Sequence, residues 1–136
     1  MNKLSVLFIS ISLFASSAYA NSPNYVISAQ NDINKALLSD ADNWICKSMK
    51  SSKSDKWTIG CFPDIPKSTP FFLFAVIEQN TVINPPYNYK ITAVNGSASR
   101  NKSMPALKPF KIEREFSKDV DSGAMFAAYQ AEYFKQ

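Results

Sequence analysis

Residues 71–77 read Phe-Phe-Leu-Phe-Ala-Val-Ile, the most apolar run of the chain beyond its first twenty residues. Its seven-residue length and its aromatic and β-branched content predict a central strand buried on both faces. On the C-terminal side, Pro85-Pro86 opens a segment over 87–94 in which Tyr87, Tyr89, Ile91 and Ala93 alternate with Asn88, Lys90 and Thr92. That alternation predicts a strand with one wet face. Asn95-Gly96 signals a turn, and the polar stretch over 96–109 reads as a long loop. Alternation returns in 110–116, a last strand with Phe110, Ile112 and Phe116 inward and Lys111, Glu113 and Glu115 outward. Beyond it, Asp121 or Ser122 caps a helix carrying Met125, Tyr129 and Tyr133 at four-residue steps, a stripe widened by Phe126 and Phe134.

On the N-terminal side, Pro63, Pro66 and Pro70 interrupt regular structure and place a surface loop over 64–69. Two Trp-bearing runs precede it, 44–46 and 57–62, both alternating as half-buried strands do, with the polar stretch 47–56 as their flexible connection. Paired antiparallel, they set Cys46 opposite Cys61. Residues 21–42 repeat Val26, Ala29, Ile33, Leu37 and Ala41 at helical spacing, and Ser22-Pro23 resembles a cap followed by proline in the first turn. The order helix, about five strands, helix gives an α+β domain: a mostly antiparallel sheet with the N-terminal and C-terminal helices packed on one face, and one disulfide.

Residues 1–20 stand apart from this fold. Asn2-Lys3 forms a short positive region, an apolar stretch follows over 4–14, and Ala18-Tyr19-Ala20 is a small-x-small ending. This is the pattern of a secretory signal peptide cleaved after Ala20, leaving a single exported domain over 21–136. The apolar stretch is well short of the roughly 20 residues that cross a bilayer. In an oxidising compartment Cys46 and Cys61 have one obvious partner each, and the bond they form is worth about 3 kcal/mol by the chain-entropy estimate. The single Lys of the leader and the Asn, Lys, Ser and Ile bias point to a bacterial periplasmic or secreted protein.

Composition narrows the chemistry further. The chain has 136 residues, 46% hydrophobic and 19% charged, with fifteen Lys plus Arg against eleven Asp plus Glu for a formal charge of +4, and it contains no His. That absence removes Ser-His-Asp and Cys-His mechanisms and His-ligated metals. The sequence carries no P-loop, GxGxxG, HExxH, EF-hand loop, CxxC, GxSxG or SxxK pattern, so no cofactor and no metal is expected.

Two basic sets remain as candidate contact surfaces. One is Lys47, Lys50, Lys53 and Lys56 in the Ser-rich connection; the other is Arg100, Lys102, Lys108 and Lys111, with Arg114 and Lys90 nearby and Tyr87 and Tyr89 beside them. Aromatic faces among cations suit ring-bearing anionic polymers, since rings stack while ammonium groups meet acid substituents. The expected function is a non-enzymatic exported interaction module that binds a protein or an anionic envelope component, with nucleic acid disfavoured because Glu113 and Glu115 dilute the charge. One alternative is an inhibitor that inserts loop 63–70 or 96–109 into a host or competitor enzyme. Another is a small hydrolase of paired carboxylates, for which Glu78, ending the most hydrophobic strand, is the acid open to an environmental shift.

Overall fold

A computed structural model describes residues 22–41, 43–64, 70–114 and 119–134. The expected leader and cleavage position, most of the 64–69 loop, and Glu115 and Phe116 lie outside the described residues. The elements run α1 (Asn24–Leu38), β1 (Trp44–Lys50), β2 (Trp57–Pro63), β3 (Phe72–Glu78), β4 (Tyr89–Ala93), α2 (Gly96–Asn101), a 3-10 turn (Lys108–Phe110), β5 (Glu113–Arg114) and α3 (Ser122–Tyr133). The strands form one sheet in the order β1-β2-β3-β4-β5; the first four pair antiparallel, and β5 joins β4 in parallel. The expected α+β fold of five mostly antiparallel strands with flanking helices and a disulfide is therefore present.

The placing of the helices differs from the expectation of one covered face. Phe72, Phe74 and Val76 of β3 meet Ala29, Ile33 and Leu37 of α1, whereas Phe71, Leu73 and Ala75 meet Met125 and Tyr129 of α3. The helices thus lie on opposite faces. The reason is contained in 71–77 itself: a strand apolar at successive positions exposes greasy surface on both sides, and each side needs its own cover.

On the α1 side, Trp44 stacks on Phe72 with ring centroids 4.9 Å apart, beside the Cys46–Cys61 disulfide. The two cysteines are directly paired across β1 and β2, with Cα atoms 4.1 Å apart. A disulfide is compatible with a periplasmic or extracellular location. On the α3 side, Phe62 packs edge-on against Phe134 at 4.7 Å, and Phe71 meets Phe126 at 5.0 Å and Tyr129 at 5.4 Å. Gly60 in β2 permits that approach, since a Cβ there would stand 2.8 Å from a Tyr129 ring carbon and 2.9 Å from one of Phe71.

Element ends also shift. Pro23 occupies the N-cap of α1 rather than its first turn, and the helix stops at Leu38 although Val26, Ala29, Ile33 and Leu37 are buried as their spacing requires. β1 continues to Lys50, so the connection to β2 is only 51–56. The 96–109 stretch is not an irregular loop. Asn95 starts α2 by accepting from the Ala98 N–H at 3.0 Å, while its amide also reaches β3, taking the Leu73 N–H at 3.1 Å and giving to the Phe71 carbonyl at 2.7 Å. The expected strand over 110–116 begins only at Glu113, because Phe110 closes the 3-10 turn and Lys111 adopts left-handed φ 52°. Phe110 and Ile112 still face inward, as expected. No described helix is long and apolar enough to cross a membrane.

Candidate functional site

The two basic sets lie at opposite edges of the sheet. Lys47, Lys50, Lys53 and Lys56 belong to the β1–β2 hairpin, which is anchored rather than free. Ser51 Oγ and Ser54 Oγ both donate to the Asp119 carbonyl, at 2.9 and 3.0 Å, tying the hairpin to the approach to α3. Lys50 lies 3.6 Å from Asp55, Lys56 lies 3.8 Å from Asp119, and Lys47 places its ammonium 5.7 Å from the centre of the Tyr133 ring. Lys53 is exposed at the tip. The hairpin is thus tied to the approach to α3, with two of its four lysines, Lys50 and Lys56, facing acids.

The second set borders a groove. The C-terminal half of α1 presents Asp32, Lys35 and Ala36, and its C-cap Ser39; the loop before β4 presents Tyr87; and the 3-10 turn and its approach present Ala106, Pro109 and Phe110. Together they enclose about 400 Å³. Tyr87 and Phe110 form an aromatic floor with centroids 5.4 Å apart, and Tyr89 lies behind Tyr87 at 5.2 Å.

Tyr89 is only 2% exposed and donates its hydroxyl to Asp32 Oδ2 at 2.7 Å. Burial first, and then the Asp32 hydrogen bond and charge, push its phenol well above the ordinary tyrosine value. Tyr89 is therefore a brace that holds Asp32 at the groove rim and backs the Tyr87 ring, rather than a ring open to a ligand.

Lys108 and Lys111 are exposed on either side, in sequence, of the lining pair Pro109 and Phe110. Arg100 is exposed on α2, with a guanidinium nitrogen 3.5 Å from Ser97 Oγ, and Lys102 is half-buried at the end of that helix. Lys90 is taken up by Glu113 at 3.2 Å. Lys35 in the wall of the groove was not singled out by its sequence context. It sits on an ordinary amphipathic helix, and only the fold brings it opposite residues some seventy positions later.

The other site expectations are placed as follows. Glu78 is exposed at the end of β3, where water reaches its carboxylate, and it adds to burial in raising the Tyr25 phenol. Residues 96–109 are folded onto the α1 side, with Ala98 and Leu107 in the core, so they form no free loop for insertion. Among the described residues, no group of three or more acidic or cysteine side chains is placed to hold a metal. Comparison with known protein families, with curated proteins and with solved structures finds no match to this chain.

Proposed function

We propose that the chain is a non-enzymatic, exported interaction module, periplasmic or secreted, that holds an anionic envelope polymer in the groove between α1 and the 3-10 turn. The observation that carries this reading is the conjunction of the Tyr87–Phe110 floor with Lys35 in the wall and Lys108 and Lys111 flanking Pro109 and Phe110. A sugar ring offers an apolar face to an aromatic ring, and its acid substituents are drawn to ammonium groups at the rim. The groove is open, as passage of a polymer chain along it requires, and Asp32 is the one acid among its lining residues, whereas hydrolysis of such a polymer takes a pair of carboxyl groups.

The test is calorimetric titration of the oxidised 21–136 chain with polygalacturonate, using amylose as the neutral control. Expected are binding to the acidic polymer alone, loss of affinity between 50 and 300 mM salt, and a fall of about tenfold on Tyr87→Ala or on the double change Lys108→Glu and Lys111→Glu. Lys50→Glu with Lys53→Glu reports whether the hairpin contributes as well. Equal binding of amylose, or affinity indifferent to Tyr87→Ala, overturns the groove reading.

A further inference from the structure

The loop between β3 and β4, residues 79–88, reads Gln-Asn-Thr-Val-Ile-Asn-Pro-Pro-Tyr-Asn and contains no charged residue. At its tip Val82 is 84% and Ile83 74% exposed, by far the most exposed large aliphatic side chains among the described residues. A loop at a hairpin end ordinarily leaves its backbone to water, which satisfies donors and acceptors alike. This loop does otherwise. Val82 N–H donates to Asn80 Oδ1 at 2.7 Å, and the N–H groups of Ile83 and Asn84 both donate to the Asn80 carbonyl at 3.0 Å. Pro85 and Pro86 have no N–H, and Tyr87 N–H donates to the Asn84 carbonyl at 2.7 Å. Six consecutive residues, 82–87, therefore have no unspent backbone N–H.

The base of the loop is fixed in the same way. Gln79 N–H donates to the Asn88 carbonyl at 3.0 Å, and the Asn84 side-chain amide donates to the Tyr89 carbonyl. By contrast, the carbonyls of Thr81, Val82 and Ile83 accept no hydrogen bond from the described residues. The tip is an aliphatic pair on an uncharged support in which the backbone N–H groups of 82–87 are spent within the loop, while the carbonyls of Thr81, Val82 and Ile83 accept none from the described residues. Drying Val82 and Ile83 strands neither of their own N–H groups, and the turn that presents them is already hydrogen-bonded within the fold.

We propose that Val82 and Ile83 form a preformed knob that enters an apolar pocket of a partner protein, with N–H donors at the pocket rim meeting the carbonyls of Thr81, Val82 and Ile83. A bilayer interior fits less well, because hydrocarbon offers those carbonyls no donor. The uncharged loop likewise calls for an uncharged pocket. This contact is separate from the groove and stands or falls without it, since Val82 and Ile83 take no part in lining it.

The test places the photoreactive residue p-benzoylphenylalanine at exposed Thr81 in the oxidised 21–136 chain, which leaves the knob intact, and irradiates it with envelope extract from the source organism. Competition is with unlabelled wild-type chain, with Val82→Ser/Ile83→Ser and with Lys53→Glu. Flotation with vesicles of phosphatidylethanolamine and phosphatidylglycerol at about 7:3 forms a parallel arm. Thermal melts of the double serine variant check that it folds, as two exposed positions permit.

Support requires a saturable adduct with one protein, competed equally by wild type and Lys53→Glu and at least tenfold less well by the double serine variant. It also requires that the partner, once purified, bind that variant at least 30-fold more weakly. The proposal is overturned by the absence of a protein adduct, by an adduct competed equally by all three chains, by an adduct of the chain with itself, or by vesicle binding that the double serine variant loses.

Discussion

The side-chain amide of Asn34 on α1 grips the outer edge of β1, donating through Nδ2 to the Trp44 carbonyl at 3.1 Å and accepting through Oδ1 from the Cys46 N–H at 3.3 Å. Trp44 and Cys46 alternate along the strand, so their outward backbone groups are those a further strand would pair with. One amide replaces that strand and holds the helix against the sheet edge beside the disulfide.

Asn34→Ala is therefore expected to cost about 1–3 kcal/mol, the range for leaving a donor and an acceptor of a part-buried edge without partners. Denaturant unfolding measures the loss. Amide exchange at Cys46 should quicken selectively, while exchange in β3 follows only the change in global stability. Unchanged stability would mean that water replaces the amide at no cost.

The buried phenols predict an alkaline limit to the fold. Tyr129 reaches from α3 onto the sheet, with its hydroxyl 3.0 Å from Thr58 Oγ1 and close to the carbonyls of Lys47 and Thr58, at 3.2 and 3.3 Å. Burial, the largest influence, raises its pKa above the ordinary 10.0, as it does for Tyr89. Below pH 10 both phenols are neutral, folded or unfolded. Above it the unfolded chain releases protons that the folded chain retains, so stability falls as pH rises, by about 1.4 kcal/mol per pH unit from Tyr129 alone. Tyr89, raised first by burial and then by Asp32, adds a loss in the same direction. Tyr129→Phe should be less stable than wild type at pH 7 yet lose less between pH 9 and 11. Tyrosinate absorbance should show these two rings titrating only as the chain unfolds.

Much of this fold was legible where one physical requirement dominates a stretch. The period of Val26, Ala29, Ile33 and Leu37 is set by burial of one helix face, and the register of Cys46 with Cys61 follows from alternation in two short strands. The position of α3 was equally implied, since a strand apolar on both faces demands two covers; the inference failed at assigning both helices to one of them. α2 was hidden because six polar and small residues have no periodicity to display, and its start depends on Asn95 bonding into β3 twenty-odd residues earlier. The groove was hidden for a similar reason. Tyr87 was readable as an aromatic among cations, but Lys35 and Phe110 become neighbours only through tertiary packing. Val82 and Ile83, between Thr81 and Asn84, carried no signal, because exposure is not written in the composition of a loop.

Gly60→Ala tests the packing between sheet and α3. The added methyl would need space now filled by the Tyr129 and Phe71 rings, both part of a packed aromatic cluster and neither the end of a flexible chain. Overpacking of this kind costs about 1–3 kcal/mol. Near-ultraviolet circular dichroism should lose aromatic signal from this face, and Tyr129 should become easier to titrate. A Gly60→Ala protein that melts with wild type would show that α3 lifts from the sheet at little cost, and the opposite-face packing would need revision.

Reducing the disulfide separates two contributions that coincide at Cys46 and Cys61. The bond closes a loop with a sequence separation of 15, for which restriction of the unfolded chain gives about 3 kcal/mol. Both sulfurs are also buried among Trp44, Ile59 and Phe72, so Cys46→Ala with Cys61→Ala loses packing as well as the link. Cys46→Ser with Cys61→Ser should be worse again, since it places hydroxyls in an apolar cluster. The expected order of stability is oxidised, then reduced wild type, then the double alanine, then the double serine chain. Because β1 and β2 keep their ladder and Asn34 still holds the edge, the reduced protein should remain folded at 25 °C and show its deficit as a lower denaturant midpoint. A reduced chain as stable as the oxidised one would mean that the ladder and the Asn34 clamp alone hold β1 in register.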